Sequence, residues 1–159
     1  MGTVPSMSVA ENLALRTFDR PPWARGGLLN PRAFEEEARQ RVQAYAIATP
    51  SLRTPSRLLS GGNIQKVILA RELAGKPRLI LAVHPTYGLD IGATEQVHRV
   101  LLEKTQQGAA VLLVSEDLEE LLSLSDRIGV LYRGALRGPF AVEEVSREAI
   151  GLWMTGGAA

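Results

Sequence analysis

The sequence predicts an α/β fold with central parallel strands, preceded by a small α-helical lobe. Up to residue 58, apolar residues recur at helical spacing and little β-type patterning is present. From Arg57 onward, short apolar runs alternate with helical segments, as in strands joined by crossover helices. Hydrophobic residues make up 45% and charged residues 22%, which is typical of a folded globular domain. We therefore predict a helical domain at residues 1–58 and an α/β domain at residues 59–159.

Two helices are predicted in the lobe, separated by an irregular stretch rich in proline and glycine from Arg20 to Asn30. Ser8 is a capping residue for the first helix. Asn30 followed by Pro31 begins the second helix, which ends before Thr49-Pro50. The apolar stripes are Val9, Ala10, Leu13 and Leu15 in the first helix, and Ala38, Val42 and Tyr45 in the second.

The α/β domain is predicted from breakers and apolar runs. Continuous apolar runs bounded by breakers are typical of parallel strands that are buried on both faces. Arg133-Gly134 is a plausible hairpin turn, and Gly156-Gly157 is expected to fray. The predicted order is a helix from Ser60 to about Ala74, strand 79–83, helix 92–107, strand 110–114, helix 117–124, strands 128–132 and 135–140, and helix 142–154.

Charge and cysteine content exclude several kinds of site. The 18 Lys and Arg against 17 Asp and Glu leave a net charge of +1, which gives no electrostatic signature of nucleic-acid binding. The absence of cysteine excludes disulfides, thiolate metal sites and a cysteine nucleophile. We interpret His98 and Glu119-Glu120 as solvated helix positions and predict no metal site, because no cluster of ligands surrounds His98.

Hydropathy favours an intracellular protein. The longest apolar runs, such as 79–83 and 109–114, are far shorter than the roughly 20 residues that a membrane-spanning helix needs. No leader with a basic and then an apolar segment follows Met1.

The strongest functional signal is the octapeptide LSGGNIQK at residues 59–66. A serine and two glycines at a helix start expose unpaired backbone N–H groups and the positive end of the helix dipole, both of which attract anions. Glycine lets a phosphate approach the backbone closely, and the Ser60 hydroxyl adds a donor. A plain capped helix is the structural alternative, and the octapeptide alone does not decide between the two.

From about Val9 to Met154, the chain resembles the ATPase subunit of ABC transporters. LSGGNIQK matches the signature motif of that family. The run LILAV with His84-Pro85-Thr86 stands where the family has its Walker B strand followed by Asp-Glu-Pro-Thr, Tyr87 to Asp90 matches the D-loop, and Val114 to Asp117 matches the switch segment. The LSGGN form, the Gly-Leu-Asp-Ile-Gly-Ala run and the Ile-Gly-Leu-Trp-Met-Thr-Gly ending look most like the second ATPase half of sugar or nucleoside importers.

This resemblance implies a partial P-loop NTPase-like core that clamps ATP in trans. ATP would be held by the P-loop of a partner ATPase half, Mg²⁺ would belong to the partner's site only, and separate permease subunits would span the membrane. The chain would then lie at the inner face of the cell membrane, with the lobe able to dock a permease. The implied nucleotide-binding residues of this chain are Ser60, Gly61, Gly62, Asn63, Gln65 and Asp90.

The chain departs from the family at three chemical positions. Val83 stands where the family has the aspartate of the Mg²⁺ shell, His84 where it has the glutamate that polarises water, and Glu116 where it has the switch histidine. The sequence also contains no Gly-x-x-x-x-Gly-Lys-Ser/Thr, which the resemblance places upstream of Met1. We therefore predict that the chain has no catalytic residue of its own and is inactive as an ATPase by itself.

Two further expectations concern assembly. Sheet edges and apolar surface that the family normally covers would be exposed, so we expect self-association or poor solubility. The alternative function is a non-catalytic interaction module that binds no nucleotide.

Overall fold

The fold is described from a computed structural model, which covers residues 2–21, 23–25, 28–75 and 77–157. Helices and parallel strands alternate in the second half of the chain, as predicted for an α/β protein. The elements are α1 (Val9–Ala14), β1 (Ala24–Arg25), β2 (Leu28–Leu29), α2 (Pro31–Ala44), α3 (Gly61–Glu72), β3 (Leu79–Val83), α4 (Ile91–Gln106), β4 (Ala110–Val114), α5 (Leu118–Leu124), β5 (Arg127–Tyr132), β6 (Ala135–Ala141) and α6 (Arg147–Met154), with 3-10 turns at Ser56–Leu58 and Val142–Glu144.

The chain divides into two compact units. The first contains Met1–Pro77 and Gly88–Val97, and the second contains Arg78–Tyr87 and His98–Ala159. None of the helices in the described part of the chain is long and apolar enough to cross a membrane.

The first unit is built around the predicted helices of the lobe. Ser8 caps α1 in a reciprocal arrangement, because its side chain accepts from the Glu11 amide while the Glu11 carboxylate accepts from the Ser8 amide at 2.7 Å. Asn30 caps α2 through the amide of Ala33, with Pro31 at the first helical position, as predicted. The buried core of this unit combines α1, α2 and α3, and its members are Val9, Ala10, Leu13, Ala38, Ile47, Val67 and Ala70.

A short hairpin in the lobe was not predicted. The sequence predicts an irregular stretch from Arg20 to Asn30, but β1 and β2 pair there antiparallel, with Ala24 opposite Leu29 and Arg25 opposite Leu28. Each strand has only two residues, so no alternating pattern reveals it.

The second unit contains a parallel and an antiparallel strand pair. β3 and β4 run parallel, with Leu79 opposite Ala110 and Val83 opposite Val114. β5 and β6 form the predicted hairpin, whose turn residues Arg133 and Gly134 both have positive φ angles (46° and 83°). Its buried core, formed by β5 and α6, consists of Ile128, Val130 and Ile150, with partly buried side chains of α5 packed against it.

The prediction that the two parallel strands are buried on both faces is wrong. Along β3, Ile80 and Ala82 are buried, whereas Leu79, Leu81 and Val83 are 66%, 64% and 55% exposed. β4 shows the same alternation, with its own odd-numbered side chains shielded more than the even-numbered ones. A continuous apolar run cannot reveal this, because the described residues cover only one face of the strand pair.

The last predicted helix is shorter than expected. Val142–Glu144 forms a 3-10 turn, and α6 begins only at Arg147, because Ser146 caps it by accepting from the amide of Ala149 at 3.1 Å. The expected fraying is also wrong for Gly156 and Gly157. Their amides close the helix by donating to the carbonyls of Trp153 and Leu152, respectively, and Gly156 has a φ of 86°.

Candidate functional site

The start of α3 presents a row of hydrogen-bond donors. Ser60 is the N-cap, and its hydroxyl oxygen accepts from the Asn63 side-chain amide at 2.9 Å and from the Asn63 backbone amide at 3.4 Å. Because a hydroxyl oxygen has two acceptor sites, the hydroxyl hydrogen of Ser60 is left to donate elsewhere. The amides of Gly61 and Gly62 occupy the first two helical positions and have no partner within the helix.

The orientation of Asn63 is fixed by the segment that follows α2. Its side-chain oxygen accepts from the amide of Ala48 at 2.7 Å, so its nitrogen must face Ser60. Lys66, one turn further along α3, donates to the carbonyl of Ala46 at 3.0 Å. Ala46 itself ends α2 in the left-handed region, at a φ of 48°. The cap of α3 is therefore tied to the helical lobe by two hydrogen bonds.

The two glycines of the motif have different surroundings. A Cβ atom at Gly61 would have no heavy atom within 4 Å, so the backbone there faces open space. A Cβ atom at Gly62 would lie 3.4 Å from the Cβ of Ala93 and 4.0 Å from Oδ2 of Asp90. The start of α4 thus packs beside the start of α3. Unpaired donors line the open side of Gly61, and such an arrangement attracts anions.

Asp90 acts in the structure as a capping residue. Its Oδ1 accepts from the amide of Ala93 at 2.9 Å at the start of α4, and its exposed carboxylate lies near Gly62. Gln65 lies on α3 beyond this group and is half-buried. The structure thus brings Ser60, Gly61, Gly62, Asn63 and Asp90 together.

The far end of α3 is held by ion pairs. Glu72 pairs with Arg16, which lies just after the end of α1, and with the neighbouring Arg71, the latter at 2.8 Å. Burial raises the pKa of the Glu72 carboxyl, but the hydrogen bonds from Arg16 and Arg71 outweigh it, so the net pKa is lowered. In α1, the hydrogen bonds from the Ser8 hydroxyl and amide lower the pKa of Glu11. Both carboxylates are therefore stabilised in their charged form.

The three substituted positions gather at the carboxyl edge of β3 and β4. Val83 ends β3, and the amide of His84 extends the ladder by donating to the carbonyl of Val114 at 2.8 Å. His84 is exposed and has a positive φ of 46°. Glu116 is also exposed and lies two residues beyond the end of β4.

This edge does not fit a Mg²⁺ site. Mg²⁺ prefers several oxygen ligands in octahedral geometry, and the hydrocarbon side chain of Val83 offers none. Within the described ranges, no group of three or more His, Asp and Glu side chains is placed to hold a metal ion.

Two polar residues near that edge are less exposed than the sequence predicts, and the prediction that His98 and Glu120 are solvated is wrong. Glu120 is only 3% exposed, and its Oε1 lies 2.9 Å from Nε2 of His98. The hydroxyl of Thr86 donates to the same oxygen at 2.9 Å. Glu119 is exposed as predicted and pairs with Arg147. No spacing rule separates two adjacent glutamates on a short helix, so the sequence could not show which one is buried.

Both tryptophans lie against other side chains. Trp153 lies in the core of the second unit, with its ring centroid 5.2 Å from that of Phe140. The guanidinium of the buried Arg41 lies 5.7 Å from the centre of the Trp23 ring.

Comparison with known proteins shows extensive sequence similarity to import ATP-binding proteins. The chain is 38% identical over 156 residues to the nucleoside import ATP-binding protein NupA of Lactococcus lactis, and 39% identical over 155 residues to the guanosine import ATP-binding protein NupO of Bacillus subtilis. These matches cover 98% of this chain but only 31% and 30% of those relatives. The chain therefore spans about a third of their length. No family model matches the chain.

Solved structures show the same fold. A dimeric bacterial ABC transporter cassette, MJ0796, aligns with a TM-score of 0.72 and 25% identity, covering 88% of this chain and 59% of that one. A nucleotide-free ATP-binding cassette aligns with a TM-score of 0.74 and 18% identity over 96% of this chain and 66% of that one, which supports the fold alone. The order of elements, the signature octapeptide at the start of α3 and the sequence similarity agree, and the homologues of this chain are ABC import ATP-binding proteins.

Proposed function

We propose that this chain supplies the signature side of an ATP site whose P-loop lies on a partner ATPase half. The observation that supports this most directly is the start of α3, where the Ser60 hydroxyl and the amides of Gly61 and Gly62 are left free to donate. Phosphoryl transfer depends mainly on positioning and charge stabilisation, so donors that reach a γ-phosphate from a second subunit assist the reaction. Asn63, Gln65 and Asp90 complete the proposed nucleotide-binding set.

The chemistry of the other edge supports an asymmetric pair. Val83, His84 and Glu116 provide neither the metal ligand nor the phosphate-facing cation that ATP hydrolysis at this chain's own edge would need. The Mg²⁺ and the water-activating group therefore belong, in this proposal, to the partner's site. The chain alone is inactive, and the pair has one working and one degenerate site.

The proposed process is import of a nucleoside or a sugar. Relatives that match nearly the whole chain include NupA and NupO, named for nucleoside and guanosine import, and a ribose import protein, RbsA 1, of Rubrobacter xylanophilus at 38% identity. The partners are then a P-loop-bearing ATPase half and transmembrane permease subunits, one of which docks on the helical lobe. The chain lies at the inner face of the cell membrane.

Self-association is part of the proposal. The side chains of Leu79, Leu81 and Val83 leave one face of the parallel strand pair apolar and exposed. Light scattering on the purified chain should therefore report dimers or larger species, and a monodisperse monomer would contradict this point.

The test of the main proposal is complementation. The purified chain is mixed with a P-loop-bearing ATPase half of an importer, and ATP hydrolysis is followed for wild type, Ser60→Arg and Ser146→Arg. Ser146 is a matched control, because it is also an exposed N-cap serine and lies on α6. We expect wild type and Ser146→Arg to stimulate hydrolysis, and Ser60→Arg to fail, because a bulky side chain blocks the donors.

The alternative function is an interaction module that binds no nucleotide, and the substituted edge is the observation that favours it. Stimulation that survives Ser60→Arg, or no stimulation by the wild-type chain, would overturn trans clamping. Physical association with the ATPase half without stimulation would then support the interaction module.

A further inference from the structure

Glu120 is a buried carboxylate that the proposed function does not use. It lies on α5 with 3% of its surface exposed, beside the apolar side chains through which α5 packs on the core of the second unit. Both of its hydrogen bonds, from Thr86 and with His98, end on Oε1. Its other oxygen, Oε2, is buried and has no hydrogen-bond partner. Burying a carboxylate with one unpaired oxygen costs free energy, and an apolar side chain at the same position would avoid that cost. The cost points to a role for Glu120 that an apolar side chain could not perform.

The three partners come from three separate elements. Thr86 lies in the turn that follows β3, His98 lies in the middle of α4, and Glu120 lies in the first turn of α5. One carboxylate oxygen therefore joins the segments that follow both parallel strands. Because Val83 and Val114 are opposite each other, these segments begin at the same edge of the strand pair. That edge carries His84 and Glu116.

We infer that Glu120 is a positioning residue that holds the turn at residues 84–87 against α4 and α5. Two backbone hydrogen bonds also restrain this turn, from the His84 amide to the carbonyl of Val114 and from the Tyr87 amide to the carbonyl of His84, the latter at 3.2 Å. The Thr86 hydroxyl anchors the turn through a side chain, and Glu120 accepts that hydrogen bond. The chain continues from this turn through three more residues to Asp90, which caps α4.

This inference extends the proposed function, since the turn leads to a residue of the proposed nucleotide-binding set, but its primary test needs no nucleotide. Amide hydrogen exchange is measured on the purified chain for Glu120→Gln, Glu120→Met and Glu119→Gln. Gln keeps an oxygen acceptor, whereas Met fills the same volume without one. Glu119 is the matched control, because it is adjacent and its side chain is 75% exposed.

We expect Glu120→Met to speed exchange of the amides of His84 and Tyr87 by at least about tenfold, because the turn opens locally. Glu120→Gln should remain close to wild type, and Glu119→Gln should not change exchange at all. Amides of the second core, such as those of Val130 and Ile150, should keep their protection. Normal exchange with Gln but not with Met would show that the side chain at position 120 must accept hydrogen bonds and does not merely fill space.

A second variant keeps the inference falsifiable if Glu120→Met does not fold. Thr86→Val has the same shape as the native side chain and removes one donor, so it should open the same turn without disturbing the buried pair of Glu120 and His98. The nitrogen chemical shifts of the imidazole rings supply an independent signature, because the chain has only two histidines, His84 and His98. Nitrogen shifts should show His98 protonated at Nε2 in wild type, and only the His84 signal should move in Thr86→Val.

Unchanged exchange at residues 84–87 in both Glu120→Met and Thr86→Val would overturn the inference. Equal acceleration throughout β5, β6 and α6 would also overturn it, because that result means general destabilisation. Failure of the complementation assay with Ser60 variants would instead remove the proposed function and leave the exchange result intact. The two ideas therefore fail separately.

In the complementation assay, Thr86→Val should lower kcat severalfold with the KM for ATP unchanged, because no nucleotide contact is removed.

Discussion

The start of α3 and the carboxyl edge of β3 and β4 differ in whether backbone or side-chain atoms provide the functional groups. At α3, two of the donors are backbone amides, and the third is a serine held by Asn63. At the strand edge, the family's chemistry depends on side chains, and Val83, His84 and Glu116 replace them. A backbone donor persists through most substitutions, whereas a carboxylate is lost by a single one. In the proposed function, the surface that serves a partner is therefore less easily lost by substitution than the chain's own site.

The largest expected effect is at Gly61, where a substitution should reduce ATP hydrolysis without destabilising the fold. A methyl group there meets no atom of the chain, so Gly61→Ala should fold normally, with a free energy of unfolding equal to that of wild type or up to about 1 kcal/mol higher. It should nevertheless lower stimulated ATP hydrolysis about tenfold or more, because the methyl group occupies the approach to the donors.

Gly151, in the interior of α6, is the control for that substitution, because a Cβ atom there also meets nothing within 4 Å. Gly151→Ala should stabilise the fold by about 1 kcal/mol and leave stimulation unchanged. Equal stimulation by both variants would break the comparison, because the open side of Gly61 would then have no ligand.

Ser60 and Ser146 provide a second contrast. Each caps a helix through the amide three residues later, so replacing either with alanine should cost about 1 kcal/mol in urea unfolding. Only Ser60→Ala should also reduce stimulated hydrolysis, since only that hydroxyl is proposed to meet phosphate. Reduced hydrolysis with Ser146→Ala would show that the assay reports stability instead.

At the strand edge, His84→Gly tests whether the imidazole retains a chemical role. His84 has a left-handed backbone conformation, so glycine should raise the free energy of unfolding by about 0.5–1 kcal/mol. Stimulated hydrolysis should not change, because glycine keeps the backbone hydrogen bond at residue 84 and the imidazole is proposed to have no chemical role. A fall in kcat with the turn at residues 84–87 still protected from exchange would mean that the imidazole is still catalytic.

The smallest expected effect is the pH dependence of the first unit. The pKa of Glu72 is lowered in the folded chain from its ordinary value of 4.5, so its stabilising contribution is present above that value. This contribution is lost as the pH falls through the lower folded pKa. Glu72→Gln should therefore unfold with a shallower acid dependence below pH 4.5 and differ from wild type by less than about 1 kcal/mol at neutral pH. Parallel stability profiles of the two proteins would refute this.

Local signals predicted most of the elements. Ser8, Asn30, Ser60 and Asp117 each cap the helix that the sequence assigned to them, and β3 and β4 have their predicted bounds. The helix predicted at residues 92–107 is present as α4, and the apolar residues at helical spacing along it are buried, namely Ala93, Val97, Val100 and Leu101. These features succeed because capping and helical periodicity depend on residues only a few positions apart.

The wrong predictions concern long-range packing. Whether Leu81 is covered depends on what lies against its face of the strand pair, and whether Glu120 is buried depends on Thr86 and His98 from distant segments. The assignment of Asp90 to a partner's nucleotide remains a prediction. Within the chain, its carboxylate already has the local role of a cap.

The half-covered strand β3 has a consequence for every stability comparison made on this protein. Leu79, Leu81 and Val83 leave hydrocarbon in contact with water. Any association that shields them contributes to the unfolding midpoint by mass action, so that midpoint should rise with protein concentration. Differences between variants are therefore meaningful only when titrations are made at one fixed concentration.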